Sequence, residues 1–201
     1  MTFVLIVVLL ISTKVTFIGG SIAVMNSIVD FVQSRGGVVT AAEATSAGFA
    51  RESLRRAEAT GKLVRWERGV YALPEMYDDE MYALQKRYSK GIFSNMTALY
   101  LHGLSDRAPL RYDMTFPDNY NTHRVPRKIV RVHYAGGELY SAPIMELETP
   151  YAHLVNAYDM ERTLCDVLRP RVKADKDLVA KAFRVWADLP SRNIIALSAY
   201  S

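Results

Sequence analysis

Cysteine is nearly absent: Cys165 stands alone among 201 residues. One thiol excludes an internal disulfide framework and a cysteine-based zinc site. It also fits a reducing compartment, so a cytoplasmic location is expected. Histidine is sparse, and His102, His123, His133 and His153 lack the close spacings of a metal site. No G-x-S-x-G elbow, phosphate-binding Walker loop or paired-carboxylate motif occurs. No catalytic residue, cofactor or metal is therefore expected, and the chain reads as a non-enzyme. Neither charge dominates: 25 Lys and Arg face 21 Asp and Glu, a net of +4, which permits a polyanionic partner without demanding one. Long apolar runs are lacking too. The longest, Phe3 to Ile11, is nine residues, whereas a membrane span needs about 20. Lys14 interrupts it, and no positive charge precedes it as in a signal peptide. Residues 1–24 read as a hydrophobic leader with Met25 as the working start, the alternatives being an added strand or helix and a membrane or secretion signal; no membrane partner is expected.

What remains is an ordinary globular composition, 50% hydrophobic and 23% charged. Pro74 and the acidic run Asp78-Asp79-Glu80 punctuate the chain, which suggests a unit over 25–76 and a second over 77–201. In the first, Ile28, Val29, Phe31 and Val32 share a helical face, and Gly36-Gly37 ends that helix. Thr40-Ala-Ala-Glu43 is a capping box, and Gly48 closes the short helix it opens. A second helix is expected from about Ala50 to Thr60, with Leu54 and Ala57 turned inward. Lys62 to Glu67, the Arg68-Gly69 turn and Val70 to Leu73 then form a hairpin. The second unit mixes helical and strand periods. Strands are expected at Ile92-Phe93, Met114 to Phe116, Ile129 to Tyr134 and roughly Leu139 to Leu147. Helices are expected at Asp79 to Lys90, after Ser94, at Met160 to Leu168 and at Asp177 to Trp186, with a weaker one at Ser191 to Tyr200. The class is α+β: an N-terminal winged helix-turn-helix followed by a mixed α+β domain.

That order has a chemical meaning. A helix braced by another fits the major groove of DNA, and its outward residues must be polar and cationic. Arg51 and Arg55 share one face, with Ser53 and Arg56 close by. Arginine pairs two hydrogen bonds with guanine or with phosphate. The hairpin adds Lys62, Arg65 and Arg68. Residues 49–69 carry six Lys and Arg against Glu52, Glu58 and Glu67, a local net of +3. The expected DNA-binding residues are Thr40, Arg51, Ser53, Arg55, Arg56, Lys62, Arg65 and Arg68. Trp66 and Tyr71 are expected to pack the wing rather than stack on bases.

The run G-G-V-V-T-A-A-E-A followed by G-F-A-R-E-S-L-R-R-A-E-A-T-G-K-L-V-R-W-E-R-G-V-Y-A-L-P resembles the N-terminal domain of AbiEi-family antitoxins. Ser94-Asn-Met-Thr-Ala-Leu-Tyr-Leu-His-Gly-Leu104 and Asp159-Met-Glu-Arg-Thr-Leu-Cys-Asp166 are similar to two later segments of that family. The resemblance spans roughly residues 25–190 and excludes the leader. It implies a repressor of its own operon that binds double-stranded operator DNA. It also implies an antitoxin of a type IV, abortive-infection phage-defence system. Its functional partner would be a nucleotidyltransferase-like toxin, countered without a stable complex. Family members carry further helix past the point where this chain stops, so a truncated C-terminus is expected.

In the second unit, Asp159, Glu161 and Asp166 suggest a metal cluster, but a structural reading is preferred: Asp159 as helix N-cap, with Arg162 and Asp166 as an i,i+4 pair. His102 is expected to meet the last carbonyls of its helix, and Cys165 to be a buried small residue. Residues 107–133 hold six Lys and Arg against Asp113 and Asp118. Arg124, Arg127, Lys128 and Arg131 are thus a candidate second nucleic-acid surface, with a solvated strand face as the plainer account. An alternative function stays open: a DNA-targeted nuclease or nucleotidyltransferase-like enzyme, for which Asp113, Asp118, Glu146 and Glu148 are the candidate acids.

Overall fold

The computed structural model describes residues 14–18, 21–25, 27–76 and 79–200. The apolar run of the expected leader lies outside these residues. The rest of that leader contributes strands β1 (Lys14–Ile18) and β2 (Ser21–Met25), an antiparallel pair with Lys14 opposite Met25. The chain divides into two compact units, residues 1–87 and 88–201.

In the first unit, α1 (Ile28–Ser34) starts at a capping box in which Ser27 and Asp30 satisfy each other's backbone N–H. Gly36 and Gly37 both take φ +79, a conformation L side chains rarely adopt, and a Cβ on Gly37 would strike Met76. β3 (Val38–Thr40) follows. Thr40 then caps α2 (Ala41–Ser46), its hydroxyl accepting from the Glu43 N–H at 3.1 Å while Glu43 takes the Thr40 N–H at 2.6 Å. Residues 47–50, with Gly48 at φ +82, lead into α3 (Arg51–Ala59). β4 (Val64–Glu67) and β5 (Val70–Ala72) complete a sheet of order β3-β5-β4, antiparallel throughout. The sequence pattern suggests that the first hairpin strand begins at Lys62. It starts later because the N–H groups of Lys62 and Leu63 both bond the Ala57 carbonyl, at 2.9 and 3.1 Å, closing the end of α3.

β5 is buried on both faces, by strand alternation. Tyr71 packs with Phe31, Val39, Leu54, Ala57 and Leu63 under the three helices. Val70 and Ala72 face the other way, with Val38, Trp66, Met76 and Tyr82. Tyr82 belongs to α4 (Glu80–Arg87), and its hydroxyl reaches the Arg35 carbonyl. That second layer is why the unit runs on to Arg87, past the residue 76 suggested by Pro74.

The second unit is built on a mixed five-stranded sheet of order β8-β7-β6-β10-β9. Its strands are β6 (Ile92–Phe93), β7 (Tyr112–Pro117), β8 (Val130–Ala135), β9 (Ile144–Glu148) and β10 (Leu154–Tyr158). β7 runs parallel to β8 and β6 parallel to β10; the other two pairings are antiparallel. The helices are α5 (Asn95–Leu101), α6 (Gly137–Tyr140), α7 (Met160–Leu168), α8 (Lys176–Asp188) and α9 (Ile194–Tyr200). Leu99, Leu164, Val167, Val179, Ala182 and Trp186 form the core that joins α5, α7 and α8. One expected strand, Leu139 to Leu147, divides: its start is α6, and extended pairing begins only after Pro143. β10 is not legible in the sequence. The two units together are α+β.

Candidate nucleic-acid interface

α3 sorts its side chains by helical period. Leu54 and Ala57 are buried, Ser53 and Glu58 are half-buried, and Arg51, Glu52, Arg55 and Arg56 are exposed. Phe49, in the turn before it, packs on Phe31 with ring centroids 5.2 Å apart, anchoring the start of α3 to α1. Arg55 makes only a loose ion pair with Glu52, at 3.8 Å and open to solvent. Among the described residues, Arg51, Arg56, Lys62, Arg65 and Arg68 have no ion pair, and all five are exposed. A long cation that is exposed and unpaired keeps its charge available to a polyanion. Ala50 caps α3 without a side-chain hydrogen bond, and the Ser53 N–H bonds the Ala50 carbonyl at 2.9 Å.

The expected set divides within this unit. Arg51, Arg55 and Arg56 lie together on the outer face of α3. Ser53 sits on its flank, half-buried. The Thr40 hydroxyl is engaged at both ends by Glu43, donating to its carboxylate at 2.9 Å and accepting its N–H. Arg65 and Arg68 lie on β4 and its turn, where Gly69 takes φ +85. The pairing of β4 with β5 is irregular between Arg65 and Glu67, and Trp66 turns onto the face shared with Val70 and Ala72. Trp66 and Tyr71 thus pack opposite faces of the sheet. The sequence does not reveal a brace on this hairpin: Glu67 pairs with Arg87 of α4 at 3.2 Å. Burial pushes the Glu67 carboxyl up, and the Arg87 charge pulls it back.

The four residues of the candidate second surface are all exposed and differ in their partners. Arg131 pairs with fully buried Asp113 at 3.4 Å. The Arg127 guanidinium donates to the Thr122 hydroxyl at 2.9 Å, while its carbonyl accepts from Arg111. The Thr122 hydroxyl also bonds that of Tyr134, holding the Tyr134 phenol below its ordinary range. Arg124 and Lys128 are exposed and outside any ion pair among the described residues.

Among the candidate acids of the enzymatic alternative, Asp113 stands apart from Glu146 and Glu148. Asp113 is on β7 and Glu146 and Glu148 are on β9, with β6 and β10 between them. Asp113 is instead committed to His133, whose Nε2 lies 2.7 Å from its Oδ1. Among the described residues no cluster of three or more His, Cys, Asp or Glu could hold a metal ion. Nor is any helix there long and apolar enough to cross a membrane.

α7 follows the structural reading. The Asp159 carboxylate accepts the Arg162 N–H at 2.8 Å, and Arg162 pairs with Asp166 at 3.2 Å. Glu161 Oε1 accepts from the Trp186 indole at 3.0 Å and the Asn193 N–H at 2.9 Å, tying α8 and the entry to α9 onto α7. His102 corrects its expectation. It is the C-cap of α5, but its ring bonds the Tyr158 carbonyl at 2.7 Å rather than its own helix.

No curated protein matches the chain. Among solved structures, the crystal structure of the RV2827C protein from Mycobacterium tuberculosis is similar. It is 18% identical, covering 81% of this chain and 71% of that one, with a TM-score of 0.48. Residues 26–74 match the family model described as transcriptional regulator, AbiEi antitoxin. The matched residues hold α1 to α3 and β3 to β5.

Proposed function

We propose that residues 25–76 act as a winged helix-turn-helix on double-stranded DNA, and that the chain represses its own operon as the antitoxin of a type IV system. The observation that carries this reading is the sorting of α3. Leu54 and Ala57 are buried, while Arg51, Arg55 and Arg56 are exposed on the opposite side. In this reading α2 braces α3, and α3 enters the major groove. Arg51 and Arg55 address base edges. Lys62, Arg65 and Arg68, at the end of α3 and on the hairpin, hold phosphates beside the groove. The Glu67–Arg87 pair steadies the wing. The match over residues 26–74 supports the regulatory role. The second unit is assigned the antitoxin activity, against a nucleotidyltransferase-like toxin and without a stable complex, in the cytoplasm.

The division of labour is tested by reversing charge on α3. Arg51→Glu with Arg55→Glu, expressed from an unrelated promoter, is expected to abolish repression of an operon reporter. Rescue of cells expressing the neighbouring toxin should be intact. Loss of rescue in a charge-reversed protein with its fold confirmed would contradict the assignment.

A further inference from the structure

We propose that β9 is a docking edge for a basic, extended segment of a partner protein, which adds to the five-stranded sheet as a sixth strand. This goes beyond the DNA-binding reading and does not depend on it. Among the described residues β9 is an outer strand, paired with β10 alone. The ladder fixes which backbone groups are open. At its two ends Thr149 donates to the His153 carbonyl at 2.8 Å and Asp159 to the Pro143 carbonyl at 3.1 Å. Antiparallel alternation then turns the odd-numbered residues of β9 toward β10. The N–H and C=O groups of Ile144, Glu146 and Glu148 point to the open edge. Apolar side chains flank it on both faces, with Ile144 44% and Met145 46% exposed. Leu139, Tyr151 and Leu154 are exposed nearby, so half of the described large exposed hydrophobics fall within residues 139–154. An open, apolar edge of this kind is a template for another strand.

Charge selects the occupant. Residues 135–158 contain Glu138, Glu146 and Glu148 and no Lys or Arg, in a chain whose net charge is +4. Arg162 donates to the Leu139 carbonyl but is buried and paired with Asp166. Two copies meeting through β9 would set glutamates against glutamates, an unfavourable cross-strand arrangement. A strand alternating Lys or Arg with apolar residues would meet both the carboxylates and the apolar flanks.

The test uses the full chain and two end-blocked decapeptides, one alternating lysine with valine and one alternating glutamate with valine. The lysine peptide is expected to bind at least tenfold more tightly and to protect the amides of Ile144, Glu146 and Glu148 from hydrogen exchange. Glu146→Pro, which removes an outward N–H and no bond to β10, should weaken binding by tenfold or more. Glu146→Lys with Glu148→Lys should transfer the preference to the glutamate peptide, which keeps the test decisive if the proline variant misfolds. Equal binding of the two peptides, or protection outside β9, would overturn the proposal. So would sedimentation as a dimer with β9 protected in the absence of peptide, since the occupant would then be a second copy.

Discussion

Two neighbouring positions on α3 should respond in opposite ways to the same truncation. Leu54 is 1% exposed and packs in the cluster that includes Phe31, Phe49 and Tyr71. Leu54→Ala deletes buried methyl groups and leaves a cavity, a change that costs about 2–5 kcal/mol in well-packed cores. A small unit has about 5 kcal/mol to lose, so much of it should unfold. The Arg55 side chain is 73% exposed, and its one ion pair, at 3.8 Å, is also in solvent. Such pairs contribute about 0–1 kcal/mol, so Arg55→Ala should leave the fold intact. If Arg55 reads a base, its loss costs about 1–3 kcal/mol of binding, roughly a 5- to 150-fold weaker operator complex. Amide hydrogen exchange across α3 reads stability, and fluorescence anisotropy with operator and random duplexes reads affinity and specificity. Leu54→Ala should speed exchange through α1, α2 and α3. Arg55→Ala should leave exchange unchanged and narrow the gap between operator and random DNA. Fast exchange in Arg55→Ala, or native exchange in Leu54→Ala, would refute the assignment of inner and outer faces. Unchanged affinities for both duplexes in Arg55→Ala would refute the reading-helix role.

Three further outcomes are expected in the second unit. Glu161→Ala strands the Trp186 indole and the Asn193 N–H, each costing about 1–3 kcal/mol when left unsatisfied; urea unfolding followed by tryptophan fluorescence should shift to lower denaturant, with partial recovery in Glu161→Gln. Burial holds the His102 pKa below its ordinary value, against the opposing pull of the Tyr158 carbonyl, Asp159 and Glu161. The unfolded chain therefore binds that proton more readily. Stability from this group is full above the ordinary histidine pKa of about 6.5 and is lost as pH falls through the depressed folded value, so His102→Gln should flatten the pH dependence of unfolding below about pH 6.5. Cys165 is buried, and burial pushes its thiol up. A disulfide-exchange reagent should modify it slowly in native protein and rapidly in denaturant; equal rates would place it at the surface.

The first unit is legible because its local signals agree. Thr40 with Glu43 forms the capping box that its spacing suggests, and Ser27 with Asp30 forms a second that the sequence reading does not name. Gly48 and Gly69 mark turns at positive φ. What stays hidden depends on residues distant in sequence. The Glu67–Arg87 brace and the Tyr82 layer join segments whose own patterns carry no trace of each other. In the second unit, the i,i+4 pair Arg162–Asp166 can be read from spacing, whereas the Asp113–His133 contact arises from parallel strand register. The cluster at 124–131 looks continuous in sequence because formal charge ignores partners. Arg131 faces a buried carboxylate, and Arg127 is held by Thr122.

The central claim is that the exposed cations of α3 engage DNA. The most direct measurement is the affinity of the full chain for duplex DNA from upstream of its own gene, titrated over salt. It should be made for the wild type and for Arg51→Ala with Arg55→Ala and Arg56→Ala. The wild type should bind with a strongly negative slope of log affinity against log salt. The triple variant, folded by circular dichroism, should bind at least tenfold more weakly, with a slope shallower by about 0.9 for each phosphate no longer neutralised. Equal affinity and equal slope in the two proteins would contradict the assignment of α3 to DNA.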